Sequence, residues 1–294
     1  MARRVRTELV VPRAVQSPQC GGDGIRIAPS VGMRSLTPLR FVLVTAAGMA
    51  GALAGACGTS EPRTDAERLA RGREIVERMS AKLAAAQAFS VTTHEVRTER
   101  SASGATRQVK LSRDAVMRRP DRFYSIVSGD RDSQVWYDGI GITVVMHKEK
   151  VFGQARAPET LDKALDALHE RYGLSTPVAD YVYTSPAKAL LTDTTTGGWV
   201  GRESVGGQDA DHLAFKDHGI DWEIWIPATG DPLPVKAINE FPDGKRLRKI
   251  ELTFSNWNLS PQIGADRFKP TVPADYEGVA MVQRARVLKN VPQE

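Results

Sequence analysis

Cysteine is almost absent from this chain. Cys20 and Cys57 are the only two among 294 residues, which excludes a disulfide-stapled scaffold and any Cys-rich zinc site. Long hydrophobic runs are also missing, which excludes a polytopic membrane protein. A lasting excess of one charge is the third absence. The chain carries 40 Lys+Arg against 35 Asp+Glu, a net charge of +5. Seven of the basic residues (Arg3, Arg4, Arg6, Arg13, Arg26, Arg34, Arg40) and two of the acidic ones (Glu8, Asp23) lie in 1–56, leaving 33 against 33 beyond. The basic surplus that would suggest nucleic acid therefore sits outside the part expected to fold, and nucleic acid is dropped as a partner. With 41% hydrophobic and 26% charged residues, disorder throughout the chain is excluded as well.

What is present near the start is an export signal. Residues 33–58 read MRSLTPLRFVLVTAAGMAGALAGACG. Arg34 and Arg40 form a basic region, Phe41–Leu53 an apolar one, and the small residues Ala54, Gly55 and Ala56 lead into Cys57. This resembles a bacterial lipobox, whose cysteine is acylated and becomes the first residue. Leu53 stands one place further from the cysteine than the usual pattern, with Ala54 in the preferred Leu position. Only 16 uncharged residues separate Arg40 from Cys57, short of the roughly 20 that span a bilayer. A lipoprotein ranks first, a cleaved secreted protein second, a retained anchor third. Met33 is then the natural start, and 1–32 is an N-terminal extension from a start codon read too early. The expected order is signal peptide 33–56, acylated Cys57 with a tether to 63, one domain over 64–282, and a frayed tail over 283–294. The expected address is the periplasm or cell envelope, lipid-anchored, at the outer membrane if the cell is Gram-negative.

The mature chain opens on a helix. Thr64-x-x-Glu67 is a capping box, and Leu69, Val76, Met79 and Leu83 recur at helical spacing to about Gln87. From Phe89 the pattern changes to strands: 89–100, 106–117, 122–128, 134–137, 142–147, 151–156. A helical insert follows, capped by Thr160, with Leu161, Leu165 and Leu168 on one side and Gly173 ending it. A second helical stretch covers 178–191, broken at Ser185-Pro186. Strands resume over 199–205, 212–216, 220–226, 233–241 and 246–257.

Parity along these strands predicts one apolar face. Ile142, Val144 and Met146 share a side, as do Leu213 and Phe215, then Trp222, Ile224 and Ile226, then Ile250, Leu252 and Phe254. Sheets with one apolar face are antiparallel sheets covered on one side. About ten strands exceed a comfortable flat sheet. The expected fold is α+β, a strongly curved, unclosed half-barrel with the N-terminal helix and the helical insert over its concave face. These eleven residues are the candidate cavity lining.

The run Arg119-Pro120-Asp121-Arg122, Trp136-Tyr137-Asp138-Gly139, Pro158-x-Thr160-Leu161-Asp162, Val205-Gly206-Gly207, Asp211-His212-Leu213-Ala214-Phe215 and Asp221-Trp222-x-Ile224-Trp225-Ile226 resembles the predicted periplasmic proteins grouped as the domain-of-unknown-function family numbered 2092. The resemblance covers roughly residues 70–280. It implies an architecture similar to LolA/LolB and LppX-type lipoprotein carriers, an open half-barrel with an apolar cavity for acyl chains, and to sensor domains of the RseB/MucB type. It implies no assigned activity.

No constellation points to catalysis. The cluster Asp209, Asp211, His212, Asp217, His218 and Asp221 lacks metal-ligand spacing and reads as a hairpin with solvated turn residues, with Asp211 and Asp221 facing each other near the strand ends. Ser125, Ser204 and Ser255 lie in no nucleophile elbow. Gly197-Gly198 and Gly206-Gly207 read as turn glycines. Trp222 falls on the apolar parity, while Trp225 and Trp257 fall opposite it, facing a helix or the membrane surface. Arg118-Arg119 and Lys245–Lys249 read as solvated strand-end runs able to meet anionic headgroups. The expectation is a non-catalytic, cofactor-free and metal-free lipoprotein. It binds a lipid or acyl chain, meets the membrane through acylated Cys57, and has as its alternative role an envelope sensor or scaffold for a protein partner.

Overall fold

The computed structural model describes residues 61–172, 176–217, 219–243 and 246–281. Helix α1 (Asp65–Ala85) begins where the capping box requires. Thr64 Oγ1 accepts from the Glu67 amide at 3.2 Å, and the Glu67 carboxylate accepts from the Thr64 amide at 3.0 Å. Two first-turn amides that a helix leaves orphaned are thereby satisfied. The buried stripe is Gly72, Ile75, Val76, Met79, Ser80 and Leu83.

Strands β1 (Ala88–Arg100), β2 (Thr106–Arg118), β3 (Arg122–Gly129), β4 (Ser133–Tyr137), β5 (Gly141–Met146) and β6 (Val151–Arg156) follow as an antiparallel meander. The insert then supplies α2 (Leu161–Tyr172), α3 (Ala179–Val182) and α4 (Pro186–Leu191). Pro186 at the first turn of α4 accounts for the break read at Ser185-Pro186. A second meander, β7 (Thr196–Val205), β8 (Gln208–Asp217), β9 (Ile220–Pro227), β10 (Lys236–Asp243) and β11 (Arg246–Asn258), returns to pair β11 with β1. After a 3-10 turn at Ala265–Phe268, the short β12 (Glu277–Gly278) pairs parallel to β6. The sheet order is β12-β6-β5-β4-β3-β2-β1-β11-β10-β9-β8-β7, and β7 and β12 do not meet. The fold is the expected α+β arrangement, a curved and unclosed sheet with helices on its inner face.

One continuous core lies between that inner face and the helices. Ile75, Val76, Met79 and Leu83 of α1 join Leu161 and Leu165 of α2, Tyr181 and Val182 of α3, and Ala187 and Leu191 of α4 against the strands. A second layer was not foreseen. Residues 259–281 run over the outer face of β3–β6, where Phe268 joins Tyr124, Trp136 and Val145, with Ile263, Val272 and Tyr276 packed beside them. Strand β5 is apolar on both sides for this reason. Ile142 and Val144 face the inner core and Val145 the outer one.

Four local readings need correction. Gly197-Gly198 is not a turn but part of β7, pressed against α1. A Cβ on Gly198 would collide with the Arg68 carbonyl. Gly206-Gly207 does form the β7–β8 turn. Asp211 and Asp221 do not face each other, because the register sets Asp211 opposite Ile226 and Asp221 opposite Lys216. Trp257 lies on the inner side, since Asn256 takes a positive φ of 55° and the β1–β11 register shifts between Ser90 and Thr92. An extra residue of this kind reverses parity beyond it. Strand β10 starts at Lys236 rather than Leu233.

Candidate functional site: the inner face of the open sheet

The eleven expected lining residues fall on one side of the sheet, and most belong to the core. Ile142, Leu213, Phe215, Trp222, Ile224, Ile226, Ile250, Leu252 and Phe254 are buried members of the inner cluster. Val144 packs against it half-buried, and Met146 is half-buried at the far end of β5. Phe215 stacks on Trp222 with centroids 4.4 Å apart. Tyr181 of α3 meets Phe254 edge-on at 5.0 Å, and Trp257 stacks on Phe254 at 5.8 Å while donating Nε1–H to the Pro234 carbonyl at 2.9 Å. The helices thus rest directly on these side chains.

The insert is held at the junction after α3 by polar contacts. Arg119 donates from Nη1 to the Val182 carbonyl at 3.2 Å and from Nη2 to the Tyr183 carbonyl at 3.1 Å. The Tyr183 hydroxyl donates to Asp166, and the Asp162 carboxylate accepts from the Thr184 amide at 3.0 Å. Asp180, in α3, is pushed up to about 6 by burial.

Toward the other end of the same face, polar groups replace apolar ones along β1. Thr93, Glu95, Arg97 and Glu99 share the parity of Phe89 and Val91. Glu95 is 1% exposed, between Leu111 of β2 and Leu252 of β11. Its Oε1 accepts from Arg113 Nε at 3.0 Å and its Oε2 from Arg97 Nη2 at 2.7 Å, and Arg113 also donates to Ser125 Oγ at 3.3 Å. Burial pushes Glu95 up, but Arg113 and Arg97 outweigh it and hold the carboxyl below its ordinary value. No feature of composition announced this stripe. The signal was the parity of β1 itself, carried eight residues past Val91 to Glu99.

The polar residues of β7–β9 divide between the two faces. The Asp211 carboxylate is buried and accepts from Trp199 Nε1 at 2.9 Å and from Arg202 at 3.3 Å, while Arg71 lies 4.5 Å over the Trp199 ring. His212 points to the outer face. It sits between Glu203 at 2.9 Å and Glu223 at 2.6 Å, and it stacks on Trp225 at 4.2 Å. Trp225 carries Lys236 on its ring at 4.4 Å and donates to Glu203 at 2.7 Å. Among the described residues, no group of three or more His, Cys, Asp or Glu is placed to hold a metal ion. No described helix is long and apolar enough to cross a membrane. Cys57, His218 and the tail after Met281 lie outside the described residues.

Three solved structures are similar over most of this domain. An uncharacterised conserved protein from Thermus thermophilus matches at 11% identity and TM-score 0.41, covering 71% of this chain and 98% of its own. The Mycobacterium tuberculosis lipoprotein LppX matches at 14% and 0.38, covering 65% and 97%. A LolA superfamily protein from Nitrosomonas europaea matches at 11% and 0.36, covering 68% and 98%. No curated protein matches the sequence. Family membership rests on the sequence. Residues 72–282 match the family model described as predicted periplasmic protein, from the second turn of α1 past the end of β12. This stretch takes in the motif run, the whole sheet and the helical insert. The chain belongs to the DUF2092 family of predicted periplasmic proteins.

Proposed function

We propose that this chain is a non-catalytic periplasmic lipoprotein, held to a membrane through acylated Cys57, that binds or carries a lipid or acylated ligand on the inner face of its half-barrel domain. One observation carries the reading. Among the described residues the sheet is unclosed, its inner face is apolar over most of its extent, and beyond α1 the cover on that face is a set of short helices rather than a second sheet. Helices α3 and α4 have four and six residues. Elements this short owe their stability to docking rather than to their own propensity. An acyl chain entering beneath them exchanges one apolar contact for another, at little cost in buried area. The lipobox-like leader supplies the address and the anchor.

The test is native mass spectrometry of the full chain extracted from membranes in mild detergent, repeated after denaturation. The expected result is a mass shift from diacylglycerol on Cys57 together with a non-covalent lipid lost on denaturation. Protein without the acyl modification removes the anchor. Protein that carries no lipid and takes none up removes the carrier. A second reading, a sensor or scaffold that contacts a protein through a fixed cover, is favoured by how completely the core side chains fill the inner face. A stable protein partner recovered with no lipid distinguishes it.

A further inference from the structure

The inner face ends in a dense patch of arginine. Successive rungs across β11, β1 and β2 read Leu252–Glu95–Leu111, Ile250–Arg97–Val109 and Arg248–Glu99–Arg107. Arg113 stands one rung inward on the same parity, opposite Val127, and Arg131 follows the end of β3. Five arginines thus meet two glutamates. Glu95 is consumed by Arg97 and Arg113. Arg107, Arg131 and Arg248 form no salt bridge among the described residues. Arg248 lies 4.2 Å over the Phe241 ring, with its Nε buried and unpartnered. Desolvation, and then the like charges of Arg97 and Arg107, pull the Arg131 guanidinium below its ordinary value, with Glu99 opposing. The hydroxyl of Thr93, a residue with no exposed surface, also has no hydrogen-bond partner among the described residues and lies on this face beside Arg113.

The buried part of this arrangement, Glu95, Arg113 and the Thr93 hydroxyl, is expensive as pure structure. Buried charge is rarely worth its desolvation in stability, and an unpartnered buried hydroxyl adds to the cost. Three guanidinium groups around the single carboxylate of Glu99, at the end of an apolar surface, leave a positive excess that matches an oxyanion, which takes paired N–H donors from arginine forks. We infer that this end of the inner face is a binding site for a phosphate-bearing group, with Arg107, Arg131 and Arg248 as its ligands and the Glu95–Arg97–Arg113 triad as its fixed floor. The inference rests on the lipid-binding reading for the source of that group, the headgroup of an anionic amphiphile whose chain continues along Ile250, Leu252 and Phe254. It assigns the ligand's class, an acyl chain ending in a phosphate, and orients it with its charge toward the β1–β2 hairpin.

The experiment is calorimetric titration of the full chain in phosphate-free buffer with three probes. They are lysophosphatidic acid, lysophosphatidylcholine of the same chain length (both below their micelle thresholds) and glycerol 3-phosphate. Lysophosphatidic acid is expected to bind at least tenfold more tightly than lysophosphatidylcholine. Arg131→Gln and Arg107→Gln, both exposed and outside the triad, are each expected to lower its affinity about tenfold with the melting temperature unchanged. Equal binding of the two lipids, indifferent to both substitutions, overturns the headgroup site and leaves lipid binding standing. Glycerol 3-phosphate binding as tightly as lysophosphatidic acid, with the same arginine dependence, supports the oxyanion site and removes the lipid as its source. Binding of none of the three overturns the site and the lipid reading together.

Discussion

Gly72 of α1 and Gly198 of β7 meet backbone to backbone. A Cβ built on Gly72 would stand 2.8 Å from the Gly198 Cα, and one built on Gly198 would collide with the Arg68 carbonyl oxygen. The helix rests on the sheet edge at this point because neither residue has a side chain. Gly198 also takes a φ of +144°, outside the range of L side chains. Gly198→Ala is expected to cost about 3 kcal/mol or more, from backbone strain and overpacking together. Gly72→Ala gains roughly 1 kcal/mol of helix propensity but must still push two backbones apart, so a net loss of about 1 kcal/mol is expected. Urea unfolding of the full chain measures both, and a Gly198→Ala protein as stable as wild type removes the close-approach account.

Acid should weaken the polar stripe. The Glu95 carboxyl is lowered from its ordinary 4.5 by Arg113 and Arg97, against burial. Its contribution is therefore fully present above that value and is lost as pH falls through the lowered one. Glu95→Gln leaves two arginines without their counter-charge, and a loss of about 3–5 kcal/mol is expected at neutral pH. Urea midpoints from pH 3 to pH 7 should show wild type losing its advantage over Glu95→Gln only at the acid end. A constant gap across that range counts against the ion triad as the cause.

Asp180 works in the opposite direction. Burial raises it from 3.8 to about 6. The folded protein therefore holds a proton that the unfolded chain has released, and stability falls as pH rises from about 4 to 6. Asp180→Asn removes this slope. Discounted for partial exposure, the gain expected at pH 8 is about 1 kcal/mol, with none at pH 3.5. Because Asp180 lies in the cover, the same substitution should hold α3 more firmly on Phe254. Slower amide exchange over residues 179–183 at pH 8 would register that.

Parity was the part of the fold most open to reading from sequence, and its failures are local. Alternation placed Leu213, Ile224 and Leu252 on one face because a strand buried on one side imposes a period of two. It failed at Trp257, where the positive φ of Asn256 inserts half a period; asparagine tolerates that conformation but as often sits in a regular strand or loop, so its presence alone did not mark the shift. It misread Gly197-Gly198, since glycine signals a turn and a close helix contact alike. The segment over the outer face escaped notice because Ile263, Phe268, Val272 and Tyr276 follow no period. The arginine patch was legible only in pieces. Arg97, then Arg107 and Arg113, then Arg131, then Arg248 come from four separate stretches, and pairing of β1 with β11, about 150 residues away, and of β2 with β1 and β3 brings them together.

Asp211 and His212 separate structure from chemistry. Asp211 is buried and accepts from Trp199 and Arg202, so Asp211→Ala strands a buried indole N–H and should cost about 2–3 kcal/mol. His212 lies between Glu203 and Glu223 on the outer face, and His212→Ala should cost about 1 kcal/mol. Lipid uptake by His212→Ala is expected to equal that of wild type. An uptake defect in a fully folded His212→Ala protein would point to an acid–base role for this pair.

Three of the motifs that carry the family resemblance meet at one place. The Tyr137 hydroxyl donates to the Pro158 carbonyl at 2.5 Å, the Leu161 amide donates to the Pro120 carbonyl at 2.8 Å, and the Ala157 amide to the Ile140 carbonyl at 3.0 Å. Gly139, at φ +86°, leaves the space taken by the Asp121–Arg122 ion pair, for a Cβ there would collide with Arg122 Nη1. The chain is thus pinned to the sheet where it enters the insert. Burial, and then the charge of Asp121, push the Tyr137 hydroxyl up to about 12, so it remains a donor across the whole stable pH range. Tyr137→Phe deletes one hydrogen bond and leaves the packing intact, for an expected loss of about 1–2 kcal/mol. If α2–α4 are the cover through which a ligand enters, loosening this pin should speed lipid uptake at nearly unchanged affinity. Faster association and dissociation in stopped-flow fluorescence of a labelled acyl probe is the expected signature. Unchanged rates in a measurably destabilised Tyr137→Phe protein would show that entry does not pass through this end of the insert.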